Sequence, residues 1–225
     1  MRTLIILIVF SSWASASPMM PGDTLPTQKP ITRRSFYPPA SLIIGGLLST
    51  GHSEEAIRNE VAEERNHLIP RFRTKVDDYL QFSPLIVAFG LDAFGVKSKT
   101  DLINRTVILI KGEAMALTTV TLLKSATHTL RPDGSSYNSF PSGHTTQAFA
   151  AATFLNEEYK DRYPWIPYAS YTVASSVGLL RVANNRHYIS DVLVGAGIGF
   201  LSMKVAYWTH QYKWGKAVRK HQLVY

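Results

Sequence analysis

The chain has 225 residues, of which 45% are hydrophobic, and a formal net charge of +8. These values fit one domain with a sizeable core, and the positive balance favours anionic partners such as phosphorylated small molecules or acidic lipids. The sequence has no RNA- or DNA-binding motif and its basic residues form no single long stripe, so a nucleic-acid partner is not predicted. The absence of cysteine excludes disulfides and thiolate metal sites.

The amino-terminal residues have the pattern of an export signal. Arg2 precedes an apolar run over residues 4–10, and an Ala-Ser-Ala cleavage site follows at 14–16. The apolar run is too short to span a bilayer. We therefore predict a signal peptide over residues 1–16 and an exported protein of a bacterial periplasm or cell envelope. Residues 17–38 are rich in proline and polar groups, which predicts an extended lead-in.

Helical periodicity predominates after the lead-in, and no segment alternates polar and apolar residues as a strand would. The predicted helices are, approximately, 40–50, 53–68, 73–81, 84–96, 101–128, 143–160, 167–183 and 187–212. Ser53, followed by two glutamates, predicts the start of the second helix. We therefore predict an all-α fold with a single helical-bundle domain over residues 39–212 and a basic tail over residues 213–225.

Long apolar stretches favour a membrane location. Residues 163–180 carry no charge, and residues 192–206 carry only Lys204. Tryptophan and tyrosine beside lysine and arginine in the tail resemble the belt of a membrane interface, and a solvated terminal helix is an equal alternative. Charges inside other helices, such as Asp92, oppose full immersion in lipid. We therefore predict a helical domain that rests on a membrane or lies partly within it.

The first of three clusters of basic residues and histidines consists of Lys124 and Arg131. Their separation of seven residues is close to two helical turns, so both side chains are expected on one helix face, about 10 Å apart along the axis. From there their long stems can converge on one anion. Pro132 is expected to end this helix. A pair of this kind also occurs on solvated helix faces.

The second cluster, Ser142, Gly143 and His144, predicts an anion site at the start of a helix. Pro141 and Ser142 precede an apolar periodic run, which indicates a helix amino terminus. Free backbone N–H groups at that end attract anions, glycine lets a phosphate approach closely, and His144 is expected beside the bound group. The alternative is an ordinary helix cap followed by a surface histidine.

The third cluster consists of Arg181, His187 and Asp191. We expect His187 and Asp191 on one helical face, so that the carboxylate accepts a hydrogen bond from one imidazole nitrogen and fixes its tautomer. The other nitrogen is then free to act as a nucleophile. Arg181, near the end of the preceding helix, adds a planar set of donors for phosphate oxygens. The alternative for the pair is a helix-capping aspartate beside a histidine.

The order and spacing of the three clusters favour one shared site. About ten specified positions would rarely coincide by chance in a chain of this length. The 36 residues between His144 and Arg181 are enough for one helix out and one helix back. Such a path returns Arg181 and His187 to the neighbourhood of His144.

At these residues the chain resembles the type 2 phosphatidic acid phosphatase superfamily, over roughly residues 100–206. This superfamily includes membrane lipid phosphatases, soluble bacterial class A acid phosphatases and vanadium haloperoxidases. The roles that the resemblance implies are phosphate binding for Lys124, Arg131, Ser142, Gly143 and Arg181, nucleophilic attack for His187, orientation of that imidazole for Asp191, and protonation of the leaving oxygen for His144. One departure is Leu180, where the superfamily commonly has serine, and this weakens a secondary phosphate contact.

The expected function is that of an exported phosphatase that hydrolyses phosphomonoesters or diphosphates through a phosphohistidine, without a metal or other cofactor. A lipid-linked substrate, such as a lipid A, isoprenoid or glycerolipid phosphate, is favoured. A soluble acid phosphatase of broad specificity is the main alternative, followed by a vanadium haloperoxidase and a non-catalytic binder of anionic lipids. The sequence predicts neither the individual substrate nor the oligomeric state.

Overall fold

The computed structural model describes residues 33–51 and 56–210, and within these ranges it is helical and contains no strand. The all-α prediction is therefore confirmed. The predicted signal peptide, the basic tail and the helix start at Ser53 lie outside the described residues.

A short 3-10 turn, Arg33–Phe36, leads into the helices. The helices in chain order are α1 (Tyr37–Leu48), α2 (Ile57–Leu68), α3 (Val76–Leu80), α4 (Ser83–Ala93), α5 (Leu102–Thr127), α6 (Gly143–Tyr159), α7 (Ile166–Ala183) and α8 (Ile189–Trp208). Each boundary differs from its predicted position by four residues or fewer. The prediction of an extended lead-in was wrong for residues 33–38. Prolines occupy the first turn of α1, where backbone N–H groups make no hydrogen bond within the helix, so proline is tolerated there.

Helix α6 lies at the centre of the bundle. Nearly all of its side chains are buried, and a run of alanines, including Ala150 and Ala151, lets its neighbours approach closely. Helices α4, α5, α7 and α8 all pack against it, and α1 packs against α8. Because α6 contacts most of the other helices, its two ends are held firmly in place.

Glycines on α8 bring this helix very close to its neighbours. A Cβ atom at Gly199 would lie 2.1 Å from the carbonyl oxygen of Thr146 in α6, and one at Gly195 would lie 2.6 Å from the carbonyl oxygen of Ser142. A Cβ atom at Gly197 would lie 2.8 Å from a carbonyl oxygen of α1. These close contacts set the start of α8 directly against the start of α6.

Buried charged side chains at the far end of the bundle each contact a side chain of opposite charge. Glu157 of α6 lies 2.7 Å from Lys160 and also contacts Lys204 of α8, and Arg105 of α5 lies 2.6 Å from Asp92 of α4. Each charge therefore has a partner of opposite sign, which offsets part of the cost of taking it out of water. Charges within otherwise apolar helices are accommodated in this way.

Helices α5 and α8 are long and apolar enough to cross a membrane, judged by length and composition alone. At 1.5 Å per residue they measure about 39 Å and about 30 Å. Helix α5 carries an exposed apolar stripe that includes Ile103, Ile110 and Leu117, whereas most of the apolar window of α8 is buried in the bundle. Burial of that kind is also typical of a core helix in a soluble protein.

Candidate active site

Four helix ends meet on one side of the bundle: the ends of α5 and α7 and the starts of α6 and α8. The backbone N–H of Ser142, at the start of α6, donates a 3.0 Å hydrogen bond to the carbonyl oxygen of Asp191 in α8. The N–H of Ser139 donates to the carbonyl oxygen of Thr129, just after α5, at 2.9 Å. The first bond joins the second and third clusters, and the second bond joins the segment between Lys124 and Arg131 to the loop before Ser142. The three clusters therefore adjoin, as their order and spacing predicted.

His187 and Asp191 do not share a helical face, so that part of the prediction was wrong. Helix α8 begins only at Ile189, because the Asp191 carboxylate accepts the backbone N–H of Tyr188 at 3.0 Å and thereby caps the helix start. His187 precedes the helix, yet its Nδ1 still lies 3.5 Å from Asp191 Oδ2. The same carboxylate oxygen accepts the hydroxyl of Ser139, which fixes its orientation.

The His187 imidazole is held neutral by its surroundings. It is only 2% exposed, and Nδ1 has no hydrogen-bond partner among the described residues. Its distance of 3.5 Å from Asp191 is longer than an ordinary N–H···O bond, so the contact is mainly electrostatic. Burial lowers the pKa of His187 to about 4; Asp191 opposes the shift, and the Arg181 and Lys124 charges add to it. With Nδ1 facing the carboxylate, the Nε2 lone pair is the one available for attack.

Lys124 and Arg131 do not emerge from one helix face. Helix α5 ends at Thr127, and His128 adopts the left-handed conformation with φ 45°, so Arg131 lies in the following loop. Lys124 Nζ donates to the carbonyl oxygen of Asn138 in that loop. Arg131 nevertheless lies near Arg181, and burial followed by the Arg181 charge lowers the pKa of Arg131.

Arg181 is 7% exposed and lies in the last turn of α7, as predicted. Its Nη1 donates to Asp77 at 2.6 Å, and Asp77 also accepts the amide of Asn184 at 3.0 Å. The Nε atoms of Arg181 and Arg131 are both buried without a hydrogen-bond partner among the described residues. Buried N–H groups are nearly always hydrogen-bonded, so these two groups are donors that an anion bound at the site can use.

The start of α6 has the structure that the sequence predicted. Ser142 is the N-cap, and its hydroxyl accepts the N–H of Thr145 at 3.4 Å. A Cβ atom at Gly143 would meet only Val120, at an ordinary distance of 3.9 Å, so packing does not require glycine there. The open space above Gly143 leaves the free N–H groups of the first turn accessible to an anion.

His144, in the first turn of α6, contacts a carboxylate that the sequence interpretation missed. Its Nε2 lies 2.9 Å from Asp78 Oδ1. Burial and the Arg181 charge lower the pKa of His144, whereas the hydrogen bond and charge of Asp78 raise it. The net pKa remains below its usual value, so protonation of His144 depends on this acidic neighbour.

Helix α3 supplies two site residues, Asp77 and Asp78, that no sequence motif identified. They contact Arg181 and His144, which lie 104 and 66 residues further along the chain. No local spacing pattern connects positions so far apart. Helix α2 supports the same arrangement, because Arg65 donates from Nε and Nη2 to the carbonyl oxygen at the end of α7, at 2.9 and 2.6 Å.

Asp77, Asp78 and His144 place three potential metal ligands within 4.8 Å of one another. The Arg181 guanidinium lies 2.6 Å from Asp77 and 3.9 Å from Asp78, so these carboxylates already have a cationic partner. We therefore describe this cluster as an ion-pair network. The prediction of a phosphatase that needs no metal stays a prediction.

The three clusters lie within a segment that matches a known protein family. Residues 105–215 match the sequence profile of the PAP2 superfamily. A lipid A 1-phosphatase of Porphyromonas gingivalis is 42% identical over 138 residues, which cover 61% of this chain and 31% of that protein. A probable diacylglycerol pyrophosphate phosphatase 1 of Schizosaccharomyces pombe is 37% identical over 82 residues, which cover 32% of this chain and 29% of that protein. The chain thus spans about a third of the length of these curated relatives.

Two crystal structures are similar at low identity. Aquifex aeolicus LpxE is 21% identical with a TM-score of 0.49, over 64% of this chain and 93% of that one. A transmembrane PAP2 type phosphatidylglycerolphosphate phosphatase from Bacillus subtilis is 21% identical with a TM-score of 0.46, over 76% of this chain and 94% of that one. The resemblance predicted from the sequence motifs is confirmed by the profile match. Over residues 105–215, just under half of its length, this chain matches the PAP2 superfamily.

Proposed function

We propose that the protein is a phosphatase that hydrolyses phosphomonoesters or diphosphates through a phosphohistidine on His187, without a metal. The observation that carries this proposal is the buried His187, with Nδ1 3.5 Å from Asp191, in a site with two arginines whose Nε groups have no partner among the described residues. A neutral imidazole supplies a nucleophilic lone pair, and the unpaired N–H groups supply donors for phosphate oxygens.

In the first step, His187 Nε2 attacks phosphorus in line with the leaving oxygen. A P–N bond forms, the P–O bond breaks, and His144 transfers its proton to the departing oxygen. The charges of Lys124, Arg131 and Arg181 and the N–H groups at the start of α6 stabilise the equatorial oxygens. Asp191 stabilises the positive charge that develops on His187 as the bond forms.

In the second step, water attacks the phosphohistidine. His144, now neutral, accepts a proton from that water, and the P–N bond breaks. Inorganic phosphate leaves, and both imidazoles return to their starting protonation states. The cycle consumes one water and needs no further reactant.

A lipid-linked substrate is the class that we propose. The curated relatives are named as phosphatases of lipid A and of diacylglycerol pyrophosphate, which are phosphorylated lipids. The exposed apolar stripe on α5 supports contact with a bilayer. Because the site lies where α5 ends and α8 begins, a bundle that spans or touches a membrane would hold it near the head groups. Export to a periplasm or cell envelope is proposed from residues 1–16 alone.

A soluble acid phosphatase of broad specificity is the second candidate. The observation that favours it is the burial of α8, of which 72% of the apolar window lies inside the bundle. On that account α8 is a core helix and the substrate is a water-soluble phosphomonoester. The pocket chemistry is the same in both candidates, so the substrate range distinguishes them.

The test is a phosphate-release screen with the full chain in detergent and in vesicles, with and without a chelator. We expect release from lipid phosphates, unchanged by the chelator, and faster than from sugar or aryl phosphates. His187→Asn should abolish turnover, while the matched control His67→Asn, at an exposed position on α2, should not. Absence of release from every substrate, or full activity of His187→Asn, would contradict the proposal. Equal rates on soluble and lipid phosphates would favour the soluble acid phosphatase.

A further inference from the structure

Asp78 and His144 form a second carboxylate–imidazole pair, separate from the pair of Asp191 and His187. The Asp78 carboxylate lies 2.9 Å from His144 Nε2, which is a shorter contact than the 3.5 Å between Asp191 and His187 Nδ1. Asp78 precedes the matched domain, which begins at Arg105, so the superfamily motifs do not include it. The pair therefore needs its own explanation.

We propose that Asp78 is a positioning residue that fixes His144 in one tautomer and so makes Nδ1 the nitrogen that serves the leaving oxygen. The inference rests on the proposed phosphatase function and goes beyond it, because it assigns a role to a residue in α3. Since Nε2 is engaged by Asp78, Nδ1 is the remaining ring nitrogen that can exchange a proton with the substrate.

The position of Asp78 is set by its neighbour, Asp77. The Asp77 side chain is fully buried and is held by Arg181 and Asn184 at the end of α7. Asn184 in turn accepts the N–H of Thr74 at 2.8 Å and donates to its carbonyl oxygen at 3.0 Å. The segment before α3 is thus fastened to the helix that carries the phosphate-binding arginine. Asp78 stays partly exposed, with its carboxylate directed at His144.

With Nε2–H held by Asp78, His144 can act in both chemical steps through Nδ1. When His144 is protonated, Nε2–H donates to Asp78 and Nδ1–H can be given to the departing oxygen. When His144 is neutral, Asp78 retains the proton on Nε2, so the Nδ1 lone pair can accept a proton from water. Asp78 therefore serves both the acid form and the base form without losing its hydrogen bond.

Electrostatics give Asp78 a second effect on the same imidazole. The charged groups that face His144 are Arg181 from α7 and Asp77 and Asp78 from α3. Burial and Arg181 both oppose the imidazolium form, and Asp77 is already paired with Arg181. The carboxylate of Asp78 is thus the main group that maintains a protonated general acid.

Leaving-group dependence separates this role from a purely structural one. A poor leaving group, such as the alkoxide of a lipid or alkyl phosphate, needs a proton as the P–O bond breaks. The 4-nitrophenolate ion is a weak base and leaves without one. General acid catalysis contributes about 10²–10⁴-fold to a rate, so disturbing the acid should penalise alkyl phosphates selectively.

The experiment compares the wild type with Asp78→Asn on an alkyl phosphomonoester and on 4-nitrophenyl phosphate. The matched control is Asp161→Asn, at an exposed carboxylate that lies 3.4 Å from Lys99 at the far end of the bundle. We expect Asp78→Asn to lose about 10- to 100-fold in kcat/KM on the alkyl ester and less than about 3-fold on the aryl ester. The ratio kcat/KM is used because it includes departure of the leaving group but not hydrolysis of the phosphohistidine, which is common to both esters. The alkaline limb of its pH profile should move to lower pH, because the carboxylate no longer supports the imidazolium.

A double-mutant cycle keeps the test independent of folding defects. In a His144→Ala background, Asp78→Asn should have no further effect on the alkyl ester. Equal losses on both esters, an unshifted alkaline limb, or full additivity with His144→Ala would overturn the role of Asp78 while leaving the phosphatase proposal intact. An inactive wild type would instead overturn the phosphatase proposal, and this inference with it.

Discussion

The pH dependence of turnover should report the buried state of His187. Burial lowers the pKa of this imidazole to about 4, and its usual value is about 6.5. At pH 5 a group with the lower value is about 90% neutral, whereas an unperturbed histidine is about 3% neutral. Because the neutral form is the nucleophile, we expect the acid limb of kcat/KM to centre near pH 4.

The same shift should appear in protein stability. Below pH 6.5 the unfolded chain binds a proton at His187, and the folded chain does not bind it until about pH 4. The contribution of His187 to the free energy of unfolding is therefore complete above pH 6.5 and is lost as the pH falls towards 4. The loss between pH 7.5 and pH 4.5 should be on the order of 2–3 kcal/mol, and His187→Gln should remove it.

The assay measures turnover from pH 3.5 to pH 8, together with denaturant unfolding in detergent at pH 7.5 and pH 4.5. The second ionisation of the substrate phosphate, near pH 6, is determined separately and included in the fit. His67→Gln, on the exposed face of α2, is the matched control for stability. An acid limb near pH 6.5 that does not follow the substrate, or equal pH dependence of unfolding in His187→Gln, would contradict the reasoning.

Three further predictions test the roles of Gly143 and Gly199 and whether turnover needs a metal ion. Gly143→Ala should fold normally, because its Cβ atom meets only Val120 at 3.9 Å, but it should weaken vanadate inhibition about tenfold by narrowing the approach to the helix start. Gly199→Ala should lower the free energy of unfolding by about 3 kcal/mol or more, because its Cβ atom would lie 2.1 Å from a carbonyl oxygen of α6. Denaturant unfolding measures this change, and Gly90→Ala, with open space around its Cβ atom, is the control. Turnover should be unchanged after dialysis against a chelator, and a loss that added Mg²⁺ or Zn²⁺ restores would contradict the metal-independent chemistry.

Local patterns in the sequence were sufficient for the helices and for the second cluster. Ser142 and Gly143 combine an N-cap residue with an apolar periodic run, and such signals act within a few residues of each other. These features depend on neighbours along the chain and can be recognised without coordinates.

The end of α5, the start of α8 and the contacts between distant segments could not be predicted in the same way. Asp191 caps α8, so His187 lies before the helix, and the four-residue spacing that suggested a shared helix face had a different cause. Arg131 lies beyond the end of α5 for a similarly local reason, the left-handed His128. The contact between Asp78 and His144 depends on how α3 is fastened to α7, which no pattern of spacing contains.

Identification of the phosphorylated residue tests the central claim most directly. The full chain is mixed with a ³²P-labelled substrate, quenched within milliseconds in alkali, digested and mapped by mass spectrometry. Label that is stable in alkali, labile in acid and attached to His187, and that accumulates in His144→Ala with 4-nitrophenyl phosphate, is the predicted result. Active enzyme with no such label, or with label at another residue, would contradict the account.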